Sequence, residues 1–195
     1  MMQTIPHISD AALVDAYLQG NVSAIETLIY RHKDKLYTSI YLLVKDKYTA
    51  EDIFQDTFLK IVRTLKEDRY NEQGKFLPWA LRVAHNLCMD HFRKARKHIP
   101  ITTPDGQDIL ALFDMREETP IGKIETQQTQ HHIRLLIEEL PEEQREVVVF
   151  RIYGSLSYKE IAEITGVSIN TALGRMRYAL LNLRKSIREK QMVLR

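Results

Sequence analysis

The sequence predicts an all-α protein made of two small helical domains joined by a flexible linker, the C-terminal one a helix-turn-helix. Three observations predict it. Apolar residues recur at the 3.6-residue helical spacing along nearly the whole chain, and no segment reads as a firm strand. Glycine is sparse, with seven in 195 residues. Ile99 to Ile124 breaks the pattern, holding three of the six prolines, two glycines and a net charge of −3. So long a structureless run is unusual inside one compact domain, so the boundary is placed there. The divisions are residues 1–98, 99–124 and 125–195.

The elements follow in order. Ser9 caps a short helix that Gly20 ends, with Leu13, Val14, Tyr17 and Leu18 as its apolar stripe. Asn21 caps a second helix running to about Lys45, with Ile25, Leu28, Ile29, Leu36, Ile40, Leu43 and Val44 near one face. Thr49-Ala50-Glu51-Asp52 has the form of a capping box. It opens a third helix that buries Ile53, Phe54, Phe58, Ile61, Val62 and Leu65. A polar loop from Glu67 to Lys75 follows. Pro78 suits a first helical turn, and the fourth helix runs through Trp79, Val83, Leu87 and Phe92 to about Lys97. The linker admits one short helix near Asp108 to Phe113. Beyond it, helices are expected at about 126–139, 142–153, 157–165 and 168–189, with Pro141, Ser157 and Ser168 at three of the starts.

Charge excludes some classes. The balance of 28 basic and 26 acidic side chains gives +2, against a uniformly basic nucleic-acid coat. That sum conceals an uneven layout. Residues 82–98 carry +4 and residues 168–195 carry +6, while 99–124 carry −3 and 125–167 carry −4. No apolar run approaches the ~20 residues of a membrane span. The N-terminus lacks the basic-then-apolar order of a secretory signal. Cys88 is the single cysteine, which excludes an internal disulfide and points to a reducing, cytoplasmic location.

The strongest local pattern is SYKEIAEITGVSINTALGRMRYALLNL, Ser157 to Leu183. It reads as a short helix, a tight turn and a longer helix. Ile161 and Ile164 point to a core, Ala162 is small where a second helix crosses, and Gly166 supplies the positive φ of the turn. Ala172, Met176, Ala179, Leu180 and Leu183 bury the second helix. Its other side shows Ser168, Asn170, Thr171, Gly174, Arg175 and Tyr178, with Arg177, Arg184, Lys185 and Arg188 placed for phosphates. Asn and Arg make bidentate contacts to base edges in a major groove. A helical hairpin with a solvated basic face is the plainer alternative.

The run LPEEQREVVVFRIYGSLSYKEIAEITGVSINTALGRMRYALLNLRK, Leu140 to Lys185, resembles the C-terminal, winged-helix-like region 4 domain of bacterial sigma factors. The nearest group is the two-domain extracytoplasmic-function type of the sigma-70 family. TAEDIFQDTFLKIVRTL, Thr49 to Leu65, resembles that group's core-polymerase-binding helix. FLPWALRVAHNLCMDHFRKARK, Phe76 to Lys97, resembles its promoter-melting helix. The blocks stand in the family's order, with the linker between them.

The resemblance implies a sigma factor that binds core RNA polymerase and directs promoter-specific initiation. Asp52, Gln55, Asp56 and Lys60 would meet the polymerase. Arg82, His85, Asn86, Asp90, Arg93, Lys94 and Arg96 would read and hold the minus-10 element, with Tyr70 and Asn71 in a pocket for a flipped base. The helix from Ser168 would read the minus-35 element. An anti-sigma partner is implied, the acidic linker would thread across the polymerase, and no cofactor is called for. One departure stands out. Where the family often has Val-Lys-Ser-Arg after its Thr, this chain has Ala172-Leu173-Gly174-Arg175. A basic contact is lost, and the added Gly weakens the helix by about 1 kcal/mol relative to Ala while letting it come closer to the groove.

Other constellations are discounted. His85, Cys88 and His91 are spaced by threes, which sets His85 and His91 about 120° apart on a helix, poorly convergent on one metal ion. His131-His132 suits a solvated surface. No phosphate loop, dinucleotide fingerprint or nucleophile elbow is present, so no enzyme is expected. The rival class is a stand-alone helix-turn-helix regulator that binds DNA without polymerase, though no dimerisation seam is evident.

Overall fold

The structure, a computed structural model, describes residues 8–67, 70, 75–97 and 131–190. The expected linker at 99–124 and its short helix lie outside the described residues. Every regular element among those described is helical.

Local chemistry sets the helix ends. Helix α1 (Asp10–Leu18) starts where Ser9 Oγ accepts the Ala12 N–H at 3.2 Å. Helix α2 (Val22–Val44) starts where Asn21 Oδ1 accepts from Ser23, and it ends on Lys45 in the left-handed conformation, φ 60°. Helix α3 spans Lys47–Lys66, opening earlier than the capping-box pattern at Thr49 suggests. The reason is Asp46, whose carboxylate accepts the Thr49 N–H at 2.8 Å. Asp is as strong a cap as Ser or Asn, so the turn closes on the first good acceptor. Helix α4 is Phe76–Lys97, with Pro78 in its first turn.

In the second half, α5 covers 131–138, α6 is Glu142–Ile152, α7 is Tyr158–Thr165 and α8 is Ile169–Glu189. Val147 to Phe150, strand-like in propensity, is helical. Ser157 and Glu160 form a reciprocal capping box at α7.

α2 is the organising helix. It packs on α1, α3 and α4 and also on α6 of the second half, while α8 lies across α6 and α7. One continuous apolar cluster results, running from Leu28, Leu36 and Ile40 through Leu81 to Val147, Phe150 and Ile161. The two halves are therefore docked. Arg145 strengthens the joint. It is buried, and its guanidinium donates to Leu140 O at 3.0 Å and, across the junction, to Leu43 O at 3.5 Å. It thus satisfies end carbonyls that a finishing helix leaves open. Lys45 likewise donates to Glu138 O.

A buried histidine pins α1. His32 Nε2 lies 2.7 Å from Asp10 Oδ2, and Arg31 Nη1 lies 2.5 Å from Asp10 Oδ1. Burial lowers the pKa of His32 and outweighs the pull of Asp10 in the other direction. A histidine depressed in the fold lets the unfolded chain bind the proton first. The stability it contributes is thus present above about pH 6.5 and lost as pH falls toward the folded value. Thermal unfolding followed between pH 7.5 and 5.5 should show this decline, and His32→Phe should flatten it. An unchanged slope would show that the pH dependence arises elsewhere.

Candidate nucleic-acid interface

Three helix faces gather the residues singled out above. On α3, burial of Ala50, Ile53, Thr57, Ile61 and Leu65 turns the opposite side outward. Asp52, Gln55, Asp56 and Lys60 are all exposed there. Leu59, 69% exposed, stands among them. With Asp56, Lys60, Arg63, Thr64, Glu67 and Leu87 it lines a shallow hollow of about 450 Å³. Sequence periodicity passed over Leu59 because it sits outside the apolar stripe. Its place one turn after Asp56 and beside Lys60, on the polar side of the helix, was the available signal.

On α4 the residues divide. Asn86, Arg93 and Lys94 are exposed, and Asp90 is partly exposed and bonded to Arg93 at 2.8 Å. Arg96 lies in the last turn of the helix. His85 is elsewhere: it is buried, with Nε2 3.0 Å from Glu146 Oε1 on α6 and its ring edge-on to Phe150 at 5.5 Å. Arg82 is half-buried, 3.5 Å from Glu163 on α7. At the start of α4, Lys75 lies 3.2 Å from Glu160. Acidic groups of the second half thus sit on basic groups of α4. The joint is close-fitting, since a Cβ on Gly154 would come 2.8 Å from Leu81 Cδ1.

Glu146, Glu160, Glu163 and Arg145 were not read from sequence as participants in any site. Their signal was faint. Six consecutive positions of α6, Arg145 to Phe150, are buried, and a helix enclosed on all sides must pair its charges.

Tyr70 is placed differently from its expected role in a base pocket. Its ring meets Trp79 edge-on at 4.6 Å and lies 6.5 Å from Phe76. Aromatic edges find favourable partners in such clusters, so this ring serves the core. Asn71 lies outside the described residues. Cys88 is fully buried, and burial pushes its thiol up to about 12. Thiolate is then scarce at neutral pH, which argues against redox sensing.

The helix-turn-helix has the expected joints. Gly166 takes φ 67° at the turn. Ser168 Oγ accepts the Thr171 N–H at 3.0 Å to start α8. Ala172, Met176 and Ala179 are buried, while Asn170, Thr171, Arg177 and Tyr178 are exposed and Gly174 and Arg175 are intermediate. Arg184 and Lys185 are exposed further along. One expectation is corrected: Leu180 is 45% exposed rather than buried. It borders an apolar groove shared with Ile133, Ile152, Leu183 and Ile187.

This geometry is that of a helical, two-part protein with a helix-turn-helix and a separate exposed polar face on α3. Comparison with known proteins gives the family. The model for sigma-70 region 2 matches residues 28–98, and that for sigma-70 region 4 matches residues 131–181. The chain belongs to the sigma-70 family, as a sigma factor of the extracytoplasmic-function type. It directs promoter-specific transcription by RNA polymerase. It is 24% identical over 171 residues to the RNA polymerase sigma-H factor of Pseudomonas aeruginosa, spanning 86% of this chain and 88% of that one. Its fold is similar to CnrH, solved with the cytosolic domain of CnrY, at TM-score 0.64 and 22% identity, covering 92% of this chain and 97% of that one. It is also similar to the sigma factor RpoE of Bartonella quintana, solved with the anti-sigma factor NepR. There the TM-score is 0.62 and the identity 17%, covering 86% and 98% of the two chains. Among the described residues no helix is long and apolar enough to cross a membrane.

Proposed function

We propose that this sigma factor divides its work among three helix faces. Residues 1–98 form the polymerase-binding and minus-10 domain, 99–124 the linker and 125–195 the minus-35 domain. The outer row of α3, Asp52, Gln55, Asp56 and Lys60, meets a basic surface of core polymerase. The outer side of α4 tracks the phosphates of melted minus-10 DNA through Arg93, Lys94 and Arg96, with Asn86 and Asn71 beside the bases. Arg82 and His85 join that surface once the second domain leaves α4. The N-terminal half of α8 reads the minus-35 element, with Arg184 and Lys185 on flanking phosphates.

One observation carries this reading. α8 buries Ala172, Met176 and Ala179 and presents Asn170, Thr171, Arg177 and Tyr178 on its exposed side, the division a groove-reading helix needs. The protein works in the cytoplasm, needs no cofactor and performs no chemistry of its own. CnrH and RpoE were each solved with a partner chain, and an anti-sigma factor is assigned to this chain by analogy.

The salt dependence of promoter binding tests the reading. Arg93→Glu with Lys94→Glu in the holoenzyme should weaken promoter retention and lower the salt slope by roughly 2, about 1 for each lost phosphate contact. Retention and slope equal to wild type would remove α4 from the DNA interface.

A further inference from the structure

Gly174 is out of place in α8. Its backbone is ordinary helix, not the left-handed conformation of Gly20 and Gly166. A Cβ built on it would meet no heavy atom within 4 Å. Neither local conformation nor internal packing asks for glycine, which weakens a helix interior relative to alanine. What remains is close approach from outside the chain.

Its neighbours say what approaches. Leu173 is 43% exposed, and Ile169, one turn earlier on the same side, is 46% exposed. Neither lines the apolar groove between α5, α6 and α8. Asn170 and Arg177, both exposed, lie along one side of the pair. A major groove displays one apolar group, the C5 methyl of thymine. An exposed aliphatic pair bordering polar readers therefore has one kind of partner there.

We propose that Leu173 and Ile169 read thymine in the minus-35 element through its C5 methyl group, and that the bare Gly174 lets α8 sit close enough to do so. Asn170 and Arg177 remain free for hydrogen bonds to neighbouring bases. This rests on α8 being the minus-35 reader. It adds a base preference that the lysine common at position 173 in the family would not give.

The test uses holoenzyme assembled from the full chain and core polymerase. It first selects preferred duplexes from a pool randomised across the minus-35 element. Each selected thymine is then replaced by deoxyuridine, which removes only the methyl. At least one replacement should weaken wild-type binding about fourfold, as expected for one buried methyl-sized group. The same replacement should have no effect on Leu173→Ala or on Ile169→Ala. Gly174→Ala should raise the melting temperature of the chain and yet weaken binding to the selected element. Selection of an element with no sensitivity to methyl loss would overturn the proposal and leave α8 as the reader. Undiminished sensitivity in both alanine variants would do the same. No selection at all across the minus-35 positions would remove α8 from that role and the proposal with it.

Discussion

Glu146→Lys is expected to undock the two halves of the chain. The Glu146 carboxylate and the His85 ring are both buried, 3.0 Å apart, at the meeting of α6 and α4. Removing the carboxylate leaves a buried hydrogen-bonding group without its partner, at a cost of about 1–3 kcal/mol, and a lysine there adds an unpaired buried cation beside Arg145. The two other ion pairs that tie α4 and its approach to the second half contribute little. Arg82 and Glu163 are 35% and 49% exposed, and Lys75 is 64% exposed. Pairs so open to water are worth at most about 1 kcal/mol each.

The closed form should therefore lose at least a hundredfold in population. Energy transfer between dyes on Glu26→Cys and Lys159→Cys, in a Cys88→Ala background, would report the change. Both attachment sites are exposed and lie on opposite halves. A fall in transfer with helix content retained is the expected result. Unchanged transfer would show that apolar contact, and not the His85–Glu146 pair, holds the halves together. Glu163→Lys should move the same signal far less.

The second large effect concerns α3. Asp52→Lys combined with Asp56→Lys turns an acidic row basic without touching the core, since both side chains are exposed. Opposed like charges across an interface cost several kcal/mol. Binding to core polymerase should fall about a hundredfold or more, mainly through slower association, while the melting temperature stays near that of wild type. Titration of labelled chain with purified core polymerase checks both points. Wild-type affinity in the double variant would move the polymerase contact off these two carboxylates.

Much of the architecture was legible because it is local. Ser9, Asn21, Ser157 and Ser168 start the helices they were expected to start, each by a side-chain oxygen and a backbone N–H a few residues on. Gly166 marks its turn for the same kind of reason. The early start of α3 went unread because Asp46 and Thr49 both look like caps and only the fold chooses between them. Leu180 went unread because periodicity names a face but not which of its residues a neighbouring helix covers.

The docked face was the least legible feature. His85 and Glu146 stand 61 residues apart, and nothing in the spacing of either helix indicates that they meet. His85 and Arg82 looked like open DNA contacts because basic residues on a helix surface normally are. Their burial depends on a second domain whose position no local pattern encodes. Tyr70 shows the same limit at shorter range, its ring held by Trp79.

The most direct measurement is transcription in vitro with purified core RNA polymerase, with and without this chain, on a template pool carrying varied upstream sequences. A sigma factor should produce discrete transcripts that start at fixed positions, depend on added chain, and vanish with the Asp52→Lys, Asp56→Lys variant. Starts that are equally abundant without the chain would contradict the assignment. So would tight promoter binding by the chain alone with no effect on initiation.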